Sequence, residues 1–165
     1  MTSDAPEPAL TYLQLREKVL SVNPAELGLA QSPTSSHVWG VLMETGYAVG
    51  SATLVCLVDG TTSLYLSTGG GLLGKPGSAP LVEASKGLVA EAEACLQLTS
   101  PAEEIPLPEA GQVRFTLLTY AGKRTIVAAE DRLSAVDQPL GPLYQAGRHT
   151  LFQLHSLTGQ KHPQS

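Results

Sequence analysis

Ala52-Thr53-Leu54-Val55-Cys56-Leu57-Val58-Asp59-Gly60-Thr61-Thr62-Ser63-Leu64-Tyr65-Leu66-Ser67 is the stretch that decides the fold. Residues 52–58 are apolar at nearly every position, the pattern of a central strand covered on both sides. Asp59-Gly60 then marks a hairpin, read as a type I′ turn in which both central residues need positive φ. Thr61 to Ser67 is expected to return beside it as a third strand. Before this pair, the apolar period from His37 is two, so Val38 to Thr45 is a first strand with Trp39, Val41 and Met43 on one face. Gly46-Tyr47-Ala48-Val49-Gly50 turns the chain between the first two strands.

Helices frame this meander. Pro8 suits a first helical position, and Tyr12, Leu15, Val19 and Val22 recur at helical spacing as one apolar stripe. Asn23-Pro24 ends that helix, because proline disfavours helical geometry in the residue before it. After the meander, Ser78 can cap a helix from about Ala79 to Leu98 whose buried stripe is Leu81, Leu88, Val89, Ala92, Cys95 and Leu96. Ala84, Gly87, Ala90 and Ala94 keep the same helix thin, so a neighbour can approach its backbone closely. Thr99 to Gly111, with Pro101, Pro106 and Pro108, reads as a semi-rigid crossing. Gln112 to Thr119 and Lys123 to Ala129 form a second hairpin about Ala121-Gly122. A last helix is expected from near Pro142 to Gly159, with Leu143, Tyr144, Gly147, Leu151 and Leu154 inward.

The order is therefore α-β-β-β-α-β-β-α, an α/β (α+β) single domain. It has a five-stranded, antiparallel-rich sheet with helices on both faces. Residues 1–7 read as a leader, 8–159 as the domain and 160–165 as a tail. The element order is distantly similar to the profilin-like group, which includes the roadblock and longin modules, although those place the helix after the second strand. Val38-Trp39-Gly40-Val41-Leu42-Met43-Glu44-Thr45-Gly46-Tyr47, Ser63-Leu64-Tyr65-Leu66-Ser67-Thr68-Gly69-Gly70-Gly71 and Leu118-Thr119-Tyr120 resemble a family of short, uncharacterised bacterial proteins. That resemblance implies a bacterial cytosolic protein and brings no activity or site residues with it.

Composition narrows the function classes. A net charge of −5 over 165 residues gives no general attraction to phosphate, and nucleic acid is not an expected partner. The nearest thing to a basic patch is Arg114, Lys123 and Arg124 on the second hairpin, which reads as a solvated face. The acidic, polar start Met-Thr-Ser-Asp-Ala-Pro-Glu is unlike a secretory signal, and the longest apolar run, Leu54 to Val58, is far too short to span a membrane. Cys56 and Cys95 read as buried reduced thiols, consistent with a cytoplasmic location and no membrane partner.

No chemistry-bearing motif completes itself. Gly69-Gly70-Gly71-Leu72-Leu73-Gly74-Lys75-Pro76 matches most of a P-loop, but Pro76 stands where the magnesium-binding hydroxyl belongs, and Pro76-Gly77 delays the helix. What remains is a strand-to-helix connection or a nest in which Gly69, Gly70, Gly71, Gly74 and Lys75 hold a small anion. His149 and His155 are six residues apart, and no metal-ligand spacing exists, so no cofactor or metal is expected. The acid pairs Glu103-Glu104 and Glu130-Asp131 read as surface charge.

The leading expectation is thus a non-catalytic interaction module, a homodimer or an adaptor for a protein partner. A small-anion binder at the Gly69–Lys75 loop and an enzyme of unrecognised type follow. The expected interface is the third strand, whose outer edge carries Leu64, Tyr65 and Leu66 with no proline or charge to blunt it. The alternative is that the glycine loop folds back over that edge.

Overall fold

A computed structural model describes residues 8–29, 37–72, 78–135 and 137–161. Helix α1 (Leu10–Ser21) leads into a short 3-10 turn, Pro24–Leu27. Strands β1 (Val38–Tyr47), β2 (Gly50–Leu57), β3 (Thr62–Leu66) and β4 (Gly71–Leu72) follow. Helix α2 (Ala79–Ala94) then runs into a second 3-10 turn, Leu96–Leu98. After them come β5 (Ser100–Pro101), β6 (Gln112–Thr119), β7 (Gly122–Ala129), the single helical turn α3 (Glu130–Leu133) and α4 (Gly141–Lys161). The strands form one antiparallel sheet in the order β4-β3-β2-β1-β6-β7-β5.

The α+β class and both long hairpins stand as the sequence predicts, although the second turns at Tyr120-Ala121, one residue before the expected Ala121-Gly122, because Gly122 pairs with Thr119 as the first residue of β7. The sheet has seven strands rather than five, because two-residue segments close each side. One of these, β4, pairs Leu72 with Leu64 and Gly71 with Tyr65, so the edge of β3 expected to be open is occupied. Leu64 and Tyr65 are buried, one in each core layer, and Leu66 packs against the first. The glycines explain the closure. Gly69, Gly70 and Gly71 all have positive φ, and a Cβ on Gly71 would collide with the Leu64 carbonyl.

The β2–β3 turn differs from type I′. Asp59 keeps negative φ and only Gly60 is positive. Gly60 N donates to Leu57 O at 2.9 Å and Leu57 N to Thr61 O at 2.9 Å. This is the three-residue hairpin loop in which a type I turn ends in a left-handed residue. The carboxylate of Asp59 accepts from Thr61 N at 2.9 Å, so it is a turn residue.

Two core layers sandwich the sheet. On one side α2 and α4 cover Val41, Met43, Leu54, Cys56, Val113, Phe115 and Leu117. On the other, α1 and the proline-rich crossing cover Trp39, Leu42, Val55, Leu57, Tyr65 and Leu118. Trp39 does not share a face with Val41 and Met43. A bulge between Val38 and Gly40 against β6 adds one residue to β1 and reverses the alternation.

The inner stripe of α1 is also rotated from the expected one. It buries Tyr12, Arg16 and Leu20, while Leu15, Val19 and Val22 are only half-buried. The reason lies in β1, which presents a fully buried Glu44 to this face. Arg16 Nε donates to Glu44 Oε2 at 2.5 Å, and its Nη2 to Glu44 Oε1 at 2.9 Å and to Ile105 O at 2.7 Å. Thr53 donates to the same carboxylate at 2.7 Å, and the Tyr12 hydroxyl lies 2.8 Å from Thr53 Oγ1 and 3.0 Å from Ser51 Oγ. A polar lock therefore fastens α1 and the crossing to the sheet.

On the opposite face the thin stretch of α2 receives α4 at Ala84, whose carbonyl accepts from Thr150 Oγ1 at 3.2 Å. Gly87, Ala90 and Ala94 face outward. Helix α4 continues through Gly159 to Lys161, so the expected stop at Gly159 is not one.

Candidate functional site

Where β1 ends beside α4, the surface sinks into a cleft of about 420 Å³ bounded throughout by described residues. Strand β1 supplies Met43, Thr45 and Tyr47; the start of α3 supplies Glu130; α4 supplies Tyr144, Arg148, Leu151, Phe152 and His155. The α4 residues are three or four apart, so one helix face carries them all.

Its polar groups are already engaged with one another. The buried Tyr144 hydroxyl donates to Glu130 Oε2 at 2.8 Å and lies 3.5 Å from Arg148 Nη1. The Arg148 guanidinium carbon stands 5.8 Å from the Tyr144 ring centroid, within cation–π range. Burial, and then the hydrogen bond to the Glu130 carboxylate, push the Tyr144 phenol above its ordinary pKa. It is a protonated donor at neutral pH, suited to fixing its neighbours rather than to proton abstraction.

The apolar rim is different. The chain has one Trp, five Tyr and two Phe. Of these, Tyr47 at 49% and Phe152 at 64% are exposed, and both line this one cleft. Aromatic side chains beside an exposed arginine are the residue types that dominate binding energy at protein interfaces.

A larger groove of about 700 Å³ lies at the other end of the sheet, lined by Leu20, Asn23, Trp39, Glu103, Tyr120 and Lys123 among others. Trp39 Nε1 at its base is buried and has no hydrogen-bond partner among the described residues. The Tyr120 hydroxyl donates to Leu29 O at 2.6 Å and Tyr120 N to His37 O at 3.3 Å.

Gly69 and Gly70 make the β3–β4 turn, with Gly69 N donating to Leu66 O at 2.9 Å, and Gly71 belongs to β4. Gly74 and Lys75 lie outside the described residues. Cys56 is buried, and desolvation pushes its thiol up to about 12, while Cys95 is buried and also raised by burial. Among the described residues no group of three or more His, Cys, Asp and Glu could hold a metal ion, and no helix is long and apolar enough to cross a membrane.

Arg114, Lys123 and Arg124 do not form one patch. Arg114 pairs across with Glu44, and Lys123 with Leu118, on the α1 side. Arg124 pairs with Leu117 on the other side, where it donates to Thr99 Oγ1 at 2.8 Å and Thr99 O at 2.6 Å. No family model, no curated protein and no solved structure matches this chain.

Proposed function

We propose that this chain is a non-catalytic protein-interaction module, acting as a homodimer or an adaptor, and that the cleft between β1 and α4 is its docking surface. The carrying observation is that both exposed aromatic residues, Tyr47 and Phe152, rim the same cleft beside Arg148. The mutual engagement of Tyr144, Glu130 and Arg148 adds a second argument. It fixes the cleft's shape before binding, which lowers the ordering cost of association.

The β3 edge at Leu64, Tyr65 and Leu66 does not supply this surface, because Leu64 and Tyr65 are core side chains and β4 pairs their strand edge. Phe152→Glu tests the reading, since a charge at an interface centre costs about 2 kcal/mol or more, roughly thirtyfold in affinity. Light scattering up to near-millimolar concentration reads self-association, and cross-linking in the native cell reads an adaptor contact. The expected result is one such association that weakens in Phe152→Glu while the thermal melt is unchanged. The absence of both self-association and any Phe152-dependent cross-link would overturn it.

A further inference from the structure

The polar lock under α1 is not electrically balanced. Glu44 gives both its oxygens to Arg16, and Oε2 also accepts from Thr53. Directly opposite on β6 stands Arg114, on the same face as Glu44. Cross-strand neighbours are about 5 Å apart at Cβ, so Arg114 stands close enough to feel the Glu44 charge, yet it forms no ion pair with that carboxylate, whose oxygens bond Arg16 and Thr53. Arg114 makes a single hydrogen bond among the described residues, from Nη1 to Thr125 Oγ1 at 3.0 Å, and its Nε is shielded from water with no partner. An unpaired guanidinium donor in a partly dry site is costly, and carboxylates are its usual complement.

That guanidinium reaches over β7 at the place where the sheet edge opens. Strand β5 pairs with β7 only at Arg124 and Thr125, and Ala102 N donates to Lys123 O just before them. Beyond Thr125 no strand lies outside β7 among the described residues. Because backbone groups alternate in direction along an antiparallel strand, the outward set that includes Lys123 also includes Val127. Val127 is 38% exposed, and Leu98, two residues before β5, is 44% exposed. No proline or charge lies in 126–129 to blunt this edge.

We propose that the outer edge of β7 from Val127 accepts an extended segment of another protein as an added strand. Beside Val127 that segment carries an acidic residue whose carboxylate pairs with Arg114. Strands are spaced about 4.8 Å apart, so this residue stands about 10 Å from Arg114 across the sheet. A glutamate and an arginine side chain together span that distance. Lys123 on the same face already lines a cavity with Glu103 and Glu104, and Glu130 and Asp131 follow the far end of the edge, so the acidic residue belongs beside Val127, opposite Arg114, and not at either end. A second copy of this chain is the wrong occupant. It has no acidic residue between Ala110 and Ala129, and edge-to-edge pairing of two β7 strands supplies no carboxylate to either Arg114. This surface is separate from the cleft at Phe152, and either assignment stands or falls alone.

The probe is a short, capped, threonine- and valine-rich peptide with one central glutamate, alongside the same peptide with glutamine. Amide shifts and hydrogen exchange of the intact protein are followed during titration. The glutamate peptide is expected to protect the Val127 amide and to bind ten- to a hundredfold more tightly than the glutamine peptide. Arg114→Gln removes that discrimination while weak binding remains. Val127→Pro deletes an outward N–H that pairs with nothing in β6, a position where an edge strand tolerates proline, and abolishes binding. If Val127→Pro fails to fold, protection of the Val127 amide in the unaltered protein decides the point. Equal binding of the two peptides, an unprotected Val127 amide at saturation, or self-association through β7 would each overturn the proposal.

Discussion

Glu44→Gln is the substitution that most directly tests how α1 is held. Glu44 is fully buried, its two oxygens accept three hydrogen bonds, and its charge neutralises Arg16, which is itself buried. Glutamine keeps the shape and one acceptor but leaves the Arg16 guanidinium unpaired beneath α1, with Arg114 beside it. Removing one partner of a buried ion pair costs about 3–5 kcal/mol. For a chain of this size each kcal/mol moves Tm by about 2–4 °C, so the midpoint should fall by about 6–20 °C.

The double substitution Arg16→Met/Glu44→Leu removes both charges together, and Tyr12 and Thr53 can still bond to each other. Its remaining cost is the loss of a donor to Ile105 O, about 1–2 kcal/mol. Urea unfolding of the wild type, the two single variants and the double variant gives the coupling energy directly. A Glu44→Gln loss under about 1 kcal/mol, or a double variant as unstable as the worse single one, would refute the lock as the fastening of α1.

Two other positions give sharp expectations. Glu93 accepts from His37 N at 3.0 Å, Val38 N at 2.9 Å and His37 Nδ1 at 2.9 Å, tying the start of β1 to α2. Partial burial opposes its ionisation, yet these bonds outweigh it and hold the carboxyl below its usual pKa. Its contribution is therefore complete above the unfolded value of about 4.3 and is lost as pH falls through the lower folded value. Glu93→Gln should cost about 1 kcal/mol at neutral pH, and urea midpoints should converge on wild type in acid; a gap that widened in acid would reverse the sign. On α4, an added Cβ at Gly147 would press into the buried Met43 thioether, whereas at Gly87 on α2 it would meet nothing within 4 Å. Thermal melts should show Gly147→Ala destabilised by about 1–3 kcal/mol through overpacking, and Gly87→Ala stabilised by up to about 1 kcal/mol through helix propensity.

Much of the candidate site was latent in the sequence. Tyr144, Arg148, Leu151, Phe152 and His155 already stand at helical spacing on a predicted helix. Tyr47 sits in a predicted turn, and nothing local says that this turn meets that helix face. Arg114 and Glu44 likewise look like ordinary surface charges until the β1–β6 register sets them side by side.

Local chemistry alone determined the order of the long elements, the two long hairpins, the burial of 53–57 within the expected 52–58 (Val58 is exposed) and the approximate limits of the three long helices. Those features depend on periodicity, glycine and proline, which act over a few residues. Tertiary structure decided the rest. Whether β3 has a free edge depended on a two-residue strand too short to carry a periodic signal. The face of Trp39 depended on a bulge set by β6, far along the chain. Arg16 could occupy the inner stripe of α1 only because Glu44 waits beneath it, and a charge in that stripe contradicts every local rule until its partner is in place. Pairing, register and counter-charge are properties of distant segments, and they exist only once the sheet has formed.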